Sequence, residues 1–161
     1  MMVTEDNLDS KYLELIKFYY KDLDFEKANQ VASQLEITLD SSQEYSRSIL
    51  GEEIRSIIAE LRDNLPKAIS HREAEIRKIL QLHLITLETK DWDYISKLYD
   101  LNAVSDRLVL LAMLYDKKGE ISRAIEILLE AKQYCDSHKL FFDSQDLLDE
   151  LNQNLTSQNL L

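Results

Sequence analysis

The chain has 161 residues, about the size of one ordinary domain, with 45% hydrophobic and 30% charged residues. This composition is typical of globular proteins and excludes a disordered chain, while two glycines and one proline are too few for the frequent turns of β-sandwiches and barrels. The formal net charge of −11 disfavours nucleic acids and anionic membrane surfaces as partners, because like charges repel.

Cysteine content and the N-terminus indicate a soluble protein. The single cysteine, Cys135, excludes an internal disulfide and a site built from several thiolates. The first six residues have neither a basic region nor an apolar segment, so we expect no secretory signal. No apolar run approaches the roughly 20 residues that cross a bilayer. We therefore expect a cytoplasmic location.

A helical hairpin is predicted over residues 9–39, where apolar residues recur at three- and four-residue steps. Its first helix is predicted to begin with Asp9 as the N-cap, and its second to run from Phe25 to Leu39. The residues predicted to face inward are Tyr12, Leu15, Ile16, Tyr19, Ala28, Val31, Ala32 and Leu35.

Longer helices are predicted over residues 42–101, with a break near residue 66. Ser41 and Glu44 have the spacing of a capping box that opens the third helix. Pro66 predicts a break or kink before a fourth helix, because proline is tolerated in a first turn and disruptive in a helix interior. The apolar set of that fourth helix is Ile69, Ile76, Ile79, Leu80, Leu84 and Leu87. A short helix capped by Asp91 follows.

The C-terminal third of the sequence is predicted to form a second hairpin over residues 105–138 and a capping helix over 144–155. The first helix of this hairpin begins at Ser105 or Asp106 and ends at Gly119, which suits a left-handed C-terminal cap. Residues 1–161 are thus predicted to form a single all-α domain of about seven or eight helices.

Three turns between predicted helices are alike in sequence: each has an acidic residue, then an apolar or aromatic one, then two polar ones and finally a small or aliphatic one. They cover residues 23–28, 90–95 and 119–124. Recurrence of such a unit along a helical chain is typical of stacked helical pairs.

The hairpin at residues 105–138 resembles the tetratricopeptide repeat in residue type and spacing. The residues that carry the resemblance are Leu111, Ala112, Tyr115, Gly119, Ala124, Leu128 and Ala131. Asp136 stands where the family usually has proline. A weaker copy lies at 9–39, where Leu23 replaces the turn glycine, and the middle copy fits poorly because His83 stands at a small-residue position. A degenerate α-solenoid and one repeat fused to a helical bundle both remain open.

Residues for catalysis or metal binding are not arranged in any recognisable pattern. Two glycines cannot form a phosphate-binding loop. His71 and Glu75 are predicted to be an ordinary surface pair four residues apart, not metal ligands. Glu52 and Glu53 belong to a predicted solvated acidic stripe. We therefore expect no enzymatic activity, no catalytic residues, no cofactor and no metal.

Partner binding through a helical groove or face is the predicted function. The resemblance implies that the first helix of each pair lines a concave surface, which selects Asp106, Val109, Met113 and Asp116 in the second hairpin and Lys17, Tyr20 and Lys21 in the first. Phe18 and Tyr20 are further candidates, because helical spacing cannot bury all the N-terminal aromatic residues. The alternatives are a helical regulatory factor that binds nucleic acid through the basic residues of 67–78, and a self-associating bundle.

Overall fold

The computed structural model describes residues 8–41, 48–89 and 102–159, with the side chains of 85–89 excepted. Of these residues 87% are helical and none is in a strand, which confirms the predicted all-α class. The helices are α1 (Leu8–Ile16), α2 (Phe25–Ser41), α3 (Ile49–Leu61), α4 (Leu65–Thr89), α5 (Asn102–Lys117), α6 (Ile121–Ser137) and α7 (Gln145–Asn159), and a π-helix (Lys17–Lys21) continues α1. No helix among them has both the length and the apolar character needed to cross a membrane.

The start of α3 differs from the predicted capping box. Ser41 is the last residue of α2, and its hydroxyl donates to the Thr38 carbonyl at 3.1 Å. Helix α3 instead begins after Ser48, whose hydroxyl oxygen accepts the Gly51 amide at 2.9 Å. Glu44 lies outside the described residues. Several serines precede the apolar run, and the spacing of the capping box selected the wrong one.

The other boundaries lie close to their predicted positions. Helix α4 begins at Leu65 and has Pro66 in its first turn, so the predicted break is confirmed. Helix α5 begins at Asn102, and Ser105 is a buried residue whose hydroxyl donates to the Asn102 carbonyl at 3.0 Å. Ser105 and Asp106 are therefore not its N-cap. The short helix predicted after Asp91 falls outside the described residues.

The first of two compact units spans residues 1–75. Its core consists of Leu8, Leu15, Tyr19, Ala28, Val31, Ala32, Leu35, Leu39, Ile54, Ile57 and Ile58. The half-buried side chains of Tyr12 and Ile16 pack against this core. The apolar spacing of the first two helices thus predicted their inward faces correctly.

The second unit spans residues 76–161 and is built on direct packing of α5 against α6. Helix α7 packs on α6 and buries Leu148 and Leu151. The buried residues of the α5–α6 pair include Leu108, Leu111, Ala112, Leu114, Ala124, Ile127, Leu128 and Ala131. Three alanines in this set are 0% exposed, and their small side chains allow the two backbones to approach closely. Within the segment of α4 that belongs to this unit, Leu80 and Leu84 are exposed despite their place in the predicted apolar set.

Among the residues that the structure describes, four helix or turn exits use a residue with positive φ, and glycine occupies one of them. Gly119 has a φ of 92°, and the next amide, that of Glu120, donates to the Tyr115 carbonyl at 2.9 Å. Leu23, Asp63 and Lys139 adopt φ values of 52°, 56° and 58°. A side chain on Cβ makes this conformation costly, so these three positions carry backbone strain that glycine would relieve.

Leu23→Gly should therefore raise the free energy of unfolding by about 0.5–1 kcal/mol. The Leu23 side chain is 63% exposed, so its removal sacrifices little packing. The converse change, Gly119→Ala, should lower the same quantity by about 1 kcal/mol. Apart from its chain neighbours, no heavy atom of the described residues lies within 4 Å of the added methyl group, so the cost is backbone strain. Urea denaturation followed by circular dichroism measures both changes. A loss of stability in Leu23→Gly would contradict the strain at this turn.

Candidate functional site

Four of the eight predicted binding residues lie on the π-helix of the first unit, Lys17–Lys21. Lys17 and Lys21 are exposed. Phe18 is half-buried and packs against the core of that unit, with the Lys27 ammonium 5.7 Å from its ring centroid. Phe18 therefore packs mainly against the core, and part of its side chain is exposed to solvent.

Tyr20 is held by interior contacts although 38% of it is exposed. Its ring meets the Tyr19 ring edge-on at a centroid distance of 4.8 Å. Its hydroxyl accepts a hydrogen bond of 3.2 Å from Arg72 Nη2. Burial of the hydroxyl end raises the pKa of Tyr20, and the nearby guanidinium of Arg72 opposes that rise. The side chain is thus anchored to α4 rather than free to reach a partner.

Arg72 and Glu75 form a buried ion pair in the N-terminal half of α4. Arg72 is 2% exposed and Glu75 is 0% exposed, and Arg72 Nη1 donates to Glu75 Oε1 at 2.7 Å. Arg72 Nε, by contrast, has no hydrogen-bond partner within the described part of the chain. A buried charge is tolerated when it is paired and hydrogen-bonded, so the two side chains depend on each other.

Two acidic residues of α3 are also buried, which corrects the predicted solvated stripe. Glu52 Oε2 lies 2.8 Å from His71 Nδ1, and Glu53 Oε1 accepts the Tyr12 hydroxyl at 2.7 Å. His71 therefore contacts a residue of α3 and is not part of the predicted surface pair with Glu75. The prediction that Glu52 and Glu53 face solvent was wrong because hydrogen bonds from other helices compensate their carboxylates. Spacing along a single helix does not reveal such partners.

The basic stretch at residues 67–78 does not present a continuous positive row. Arg72 is buried against Glu75, and His71 lies beside Glu52. A recognition helix for nucleic acid needs its basic side chains free to neutralise phosphates. This geometry disfavours the nucleic-acid alternative. In the parts of the chain that the structure describes, no three histidine, cysteine, aspartate or glutamate side chains are grouped as metal ligands.

The other four predicted residues share one face of α5 in the second unit. Asp106, Val109, Met113 and Asp116 follow each other at steps of three and four residues, which places them along one side of a helix. Met113 is 50% exposed and Asp106 is exposed, while Val109 and Asp116 are half-buried. We call these four residues the α5 face.

A cleft of about 330 Å³ opens at the N-terminal end of the α5 face. It is lined by Asn102, Ser105, Asp106, Val109, Cys135, Phe141, Phe142 and Asp143. The structure thus brings Asp106 and Val109 together with the end of α6 and with the α6–α7 connection. Met113 and Asp116 lie further along α5, outside the residues that line the cleft.

Phe141 is one of the residues lining this cleft that the sequence analysis missed. It is 86% exposed, and Phe142 beside it is half-buried. Two consecutive phenylalanines occur in a segment that the prediction left between helices. Aromatic residues in a connection are a signal for a surface contact, because no helical face is available to bury them.

Comparisons with known proteins assign no family to this chain. No family model matches it, and no curated protein and no solved structure is significantly similar to it.

Proposed function

We propose that this chain is a non-enzymatic adaptor that binds a segment of a partner protein on the α5 face. The observation that carries the proposal is the exposed apolar surface of the α5 face. Met113 is 50% exposed, and the half-buried Val109 lines a cleft together with the largely exposed Phe141. Clustered apolar side chains rimmed by polar ones are typical of protein-binding surfaces. Two acidic residues, Asp106 and Asp143, are among the polar residues that line the cleft here.

A shared turn geometry supports the proposal that both hairpins are tetratricopeptide-like. Leu23 and Gly119 are the left-handed residues of the two turns, with φ values of 52° and 92°. In each case the next helix starts two residues later, at Phe25 and at Ile121. Alanine stands five residues after each left-handed residue, at 28 and 124, and both alanines are 0% exposed. Leu23 thus has the backbone conformation of the glycine that it replaces.

On this interpretation the first helix of each pair lines a concave binding surface, which is the role that we propose for α5. The matching region of the first unit is the π-helix that carries Lys17 and Lys21. We also propose a cytoplasmic location for this adaptor. Its binding energy would come from a few apolar anchors, because such residues dominate protein interfaces.

Met113→Ala tests this function, with Leu129→Ala as a matched control. Leu129 is 49% exposed but lies on α6, so the two variants lose a similar exposed apolar side chain from different helices. We expect Met113→Ala to weaken capture of a partner at least about fivefold, which corresponds to about 1 kcal/mol, the level at which an interface residue matters. Quantitative mass spectrometry of captured proteins, followed by calorimetry with the purified partner, measures this.

The control variant should capture the same partner as the unmodified chain. Both variants should retain the thermal midpoint of the unmodified chain, because neither side chain is buried. Asp116→Lys should also reduce capture through reversed charge. Equal capture by the Met113, Asp116 and Leu129 variants would reject the α5 face.

A further inference from the structure

The two hairpins end their first helices with different hydrogen-bond patterns. In the first hairpin the Asp22 amide donates to the Lys17 carbonyl at 2.9 Å, five residues back, which is the π-helical pattern. In the second hairpin the Lys118 amide donates to the Leu114 carbonyl at 3.0 Å, four residues back, which is the α-helical pattern. Each donor stands one position before the left-handed residue of its turn. An α-helical end is therefore compatible with this turn geometry.

The hydrogen bond that closes each turn is displaced in the same way. The Asp24 amide donates to the Phe18 carbonyl at 2.8 Å, six residues back. Glu120 holds the same place after the left-handed residue of the second turn, and its amide donates to the Tyr115 carbonyl at 2.9 Å, five residues back. The acceptor in the first hairpin thus lies one residue further from the turn.

A cation–π contact beside each turn shows the same displacement. Lys27 and Arg123 each stand four residues after the left-handed residue. The Lys27 ammonium lies 5.7 Å from the centroid of the Phe18 ring, and the Arg123 guanidinium lies 5.8 Å from the centroid of the Tyr115 ring. Phe18 therefore occupies the place that Tyr115 has in the second hairpin, although it stands one residue further from its turn.

Tyr20 ties the π-helix to α4. Its hydroxyl accepts a hydrogen bond of 3.2 Å from Arg72 Nη2. Arg72 is 2% exposed and is itself fixed by the bond of 2.7 Å to Glu75 Oε1. A π turn holds more residues than an α turn, so it rotates the chain less per residue and redirects the side chains within it. The position of the Tyr20 hydroxyl beside Arg72 consequently depends on the π form.

We propose that the Tyr20–Arg72 hydrogen bond is a latch that selects the π form of this helix end over an α form. Tyr20 stands three residues before the left-handed residue of its turn, as Asp116 does on the α5 face. In the α form, Tyr20 takes the direction that Asp116 has in the second hairpin. Release of the latch thus moves an aromatic side chain away from α4 to the outer face of the first hairpin, beside the exposed Lys17 and Lys21.

The latch withholds a side chain that is suited to partner binding. Tyrosine is among the residues that dominate the binding energy of protein interfaces. A partner that binds Tyr20 only in the α form shifts the equilibrium toward that form, because a ligand favours the state for which it has the higher affinity. The latch concerns the first unit and goes beyond the adaptor function proposed for the α5 face.

Scalar couplings across hydrogen bonds, measured by nuclear magnetic resonance on the full chain labelled with ¹⁵N and ¹³C, test the latch. They identify the carbonyl to which each amide donates. In the unmodified chain the Asp22 amide should couple to the Lys17 carbonyl. Tyr20→Phe removes the hydroxyl and keeps the ring, and in this variant the Asp22 amide should couple to the Phe18 carbonyl, four residues back. The ratio of the α form to the π form should rise at least about tenfold, because a hydrogen bond to a charged group no longer favours the π form.

Tyr12→Phe is the matched control for this test. The Tyr12 hydroxyl also donates to a charged side chain of the first unit, Glu53, at 2.7 Å, but Tyr12 lies in the α-helical part of α1. This variant should retain the coupling of the unmodified chain. Both variants should remain folded, which their amide spectra report, since the Tyr20→Phe ring keeps its edge-on contact with Tyr19.

Any of four results rejects the latch: α pairing in the unmodified chain, π pairing retained in Tyr20→Phe, loss of the Asp22 coupling without a new one, or the same change in Tyr12→Phe. Failure of the latch is distinguishable from failure of the proposed function, because partner capture by the Met113→Ala variant is a separate measurement on the second unit.

Discussion

Replacing Arg72 with methionine should lower the free energy of unfolding by about 3–5 kcal/mol, the usual cost of breaking a buried ion pair from one side. The change removes the guanidinium that donates to Glu75 Oε1, and the Glu75 side chain is 0% exposed. It also removes the donor to the Tyr20 hydroxyl. Urea denaturation followed by circular dichroism measures the loss.

Arg77→Met is the control for this prediction, because Arg77 lies on the same helix and is exposed. That variant should change the free energy of unfolding by less than about 0.5 kcal/mol. The double change Arg72→Met with Glu75→Leu should recover most of the loss, since replacing both partners leaves no charge to compensate. If Arg72→Met were as stable as Arg77→Met, the buried pair would not contribute to the first unit.

Leu128→Ala should destabilise the chain by about 2–5 kcal/mol, because it opens a cavity in a well-packed region. Leu128 is 0% exposed on α6, where this helix packs against α5. The neighbouring residue provides a control: Leu129 is 49% exposed. Leu129→Ala should change the free energy of unfolding by less than about 0.5 kcal/mol. The difference between the two variants isolates the effect of burial, since both make the same chemical change in one helix.

Hydrogen exchange provides a second test of the packing of α5 on α6. Hydrogen exchange of the α5 and α6 amides should accelerate in Leu128→Ala, because the helix pair loses its central contact. The Leu129 variant should exchange at the rate of the unmodified chain. Similar exchange and similar urea midpoints in both variants would contradict the close packing of α5 on α6.

Much of the fold was predictable because local signals determine most of it. Apolar residues at helical spacing predicted the inward faces of α1 and α2, and Pro66 predicted the break before α4. Gly119 predicted the exit from α5, because its left-handed conformation favours a residue without a side chain. Leu23 has no such sequence signal, yet it too has a left-handed conformation, with a φ of 52°.

The candidate site was predictable only in part. Spacing along α5 placed Asp106, Val109, Met113 and Asp116 on one side of a helix. This prediction uses only the helical period and is independent of the other helices. The neighbours of Asp106 and Val109 depend on where α6 ends and how the next connection runs. Phe141 therefore entered the site only through the tertiary structure.

The amino-acid sequence by itself determined the helical class, the inward faces and the left-handed glycine exit, since these depend on residues within a few positions of each other. Only the tertiary structure decided that Glu52, Glu53 and Arg72 are buried and that Phe141 is exposed. Burial of a charged side chain depends on a partner that the fold brings within hydrogen-bonding distance. Exposure of an aromatic ring depends on whether another part of the fold packs against it. The spacing of apolar residues along a single helix specifies neither the burial of a charged side chain nor the exposure of an aromatic ring.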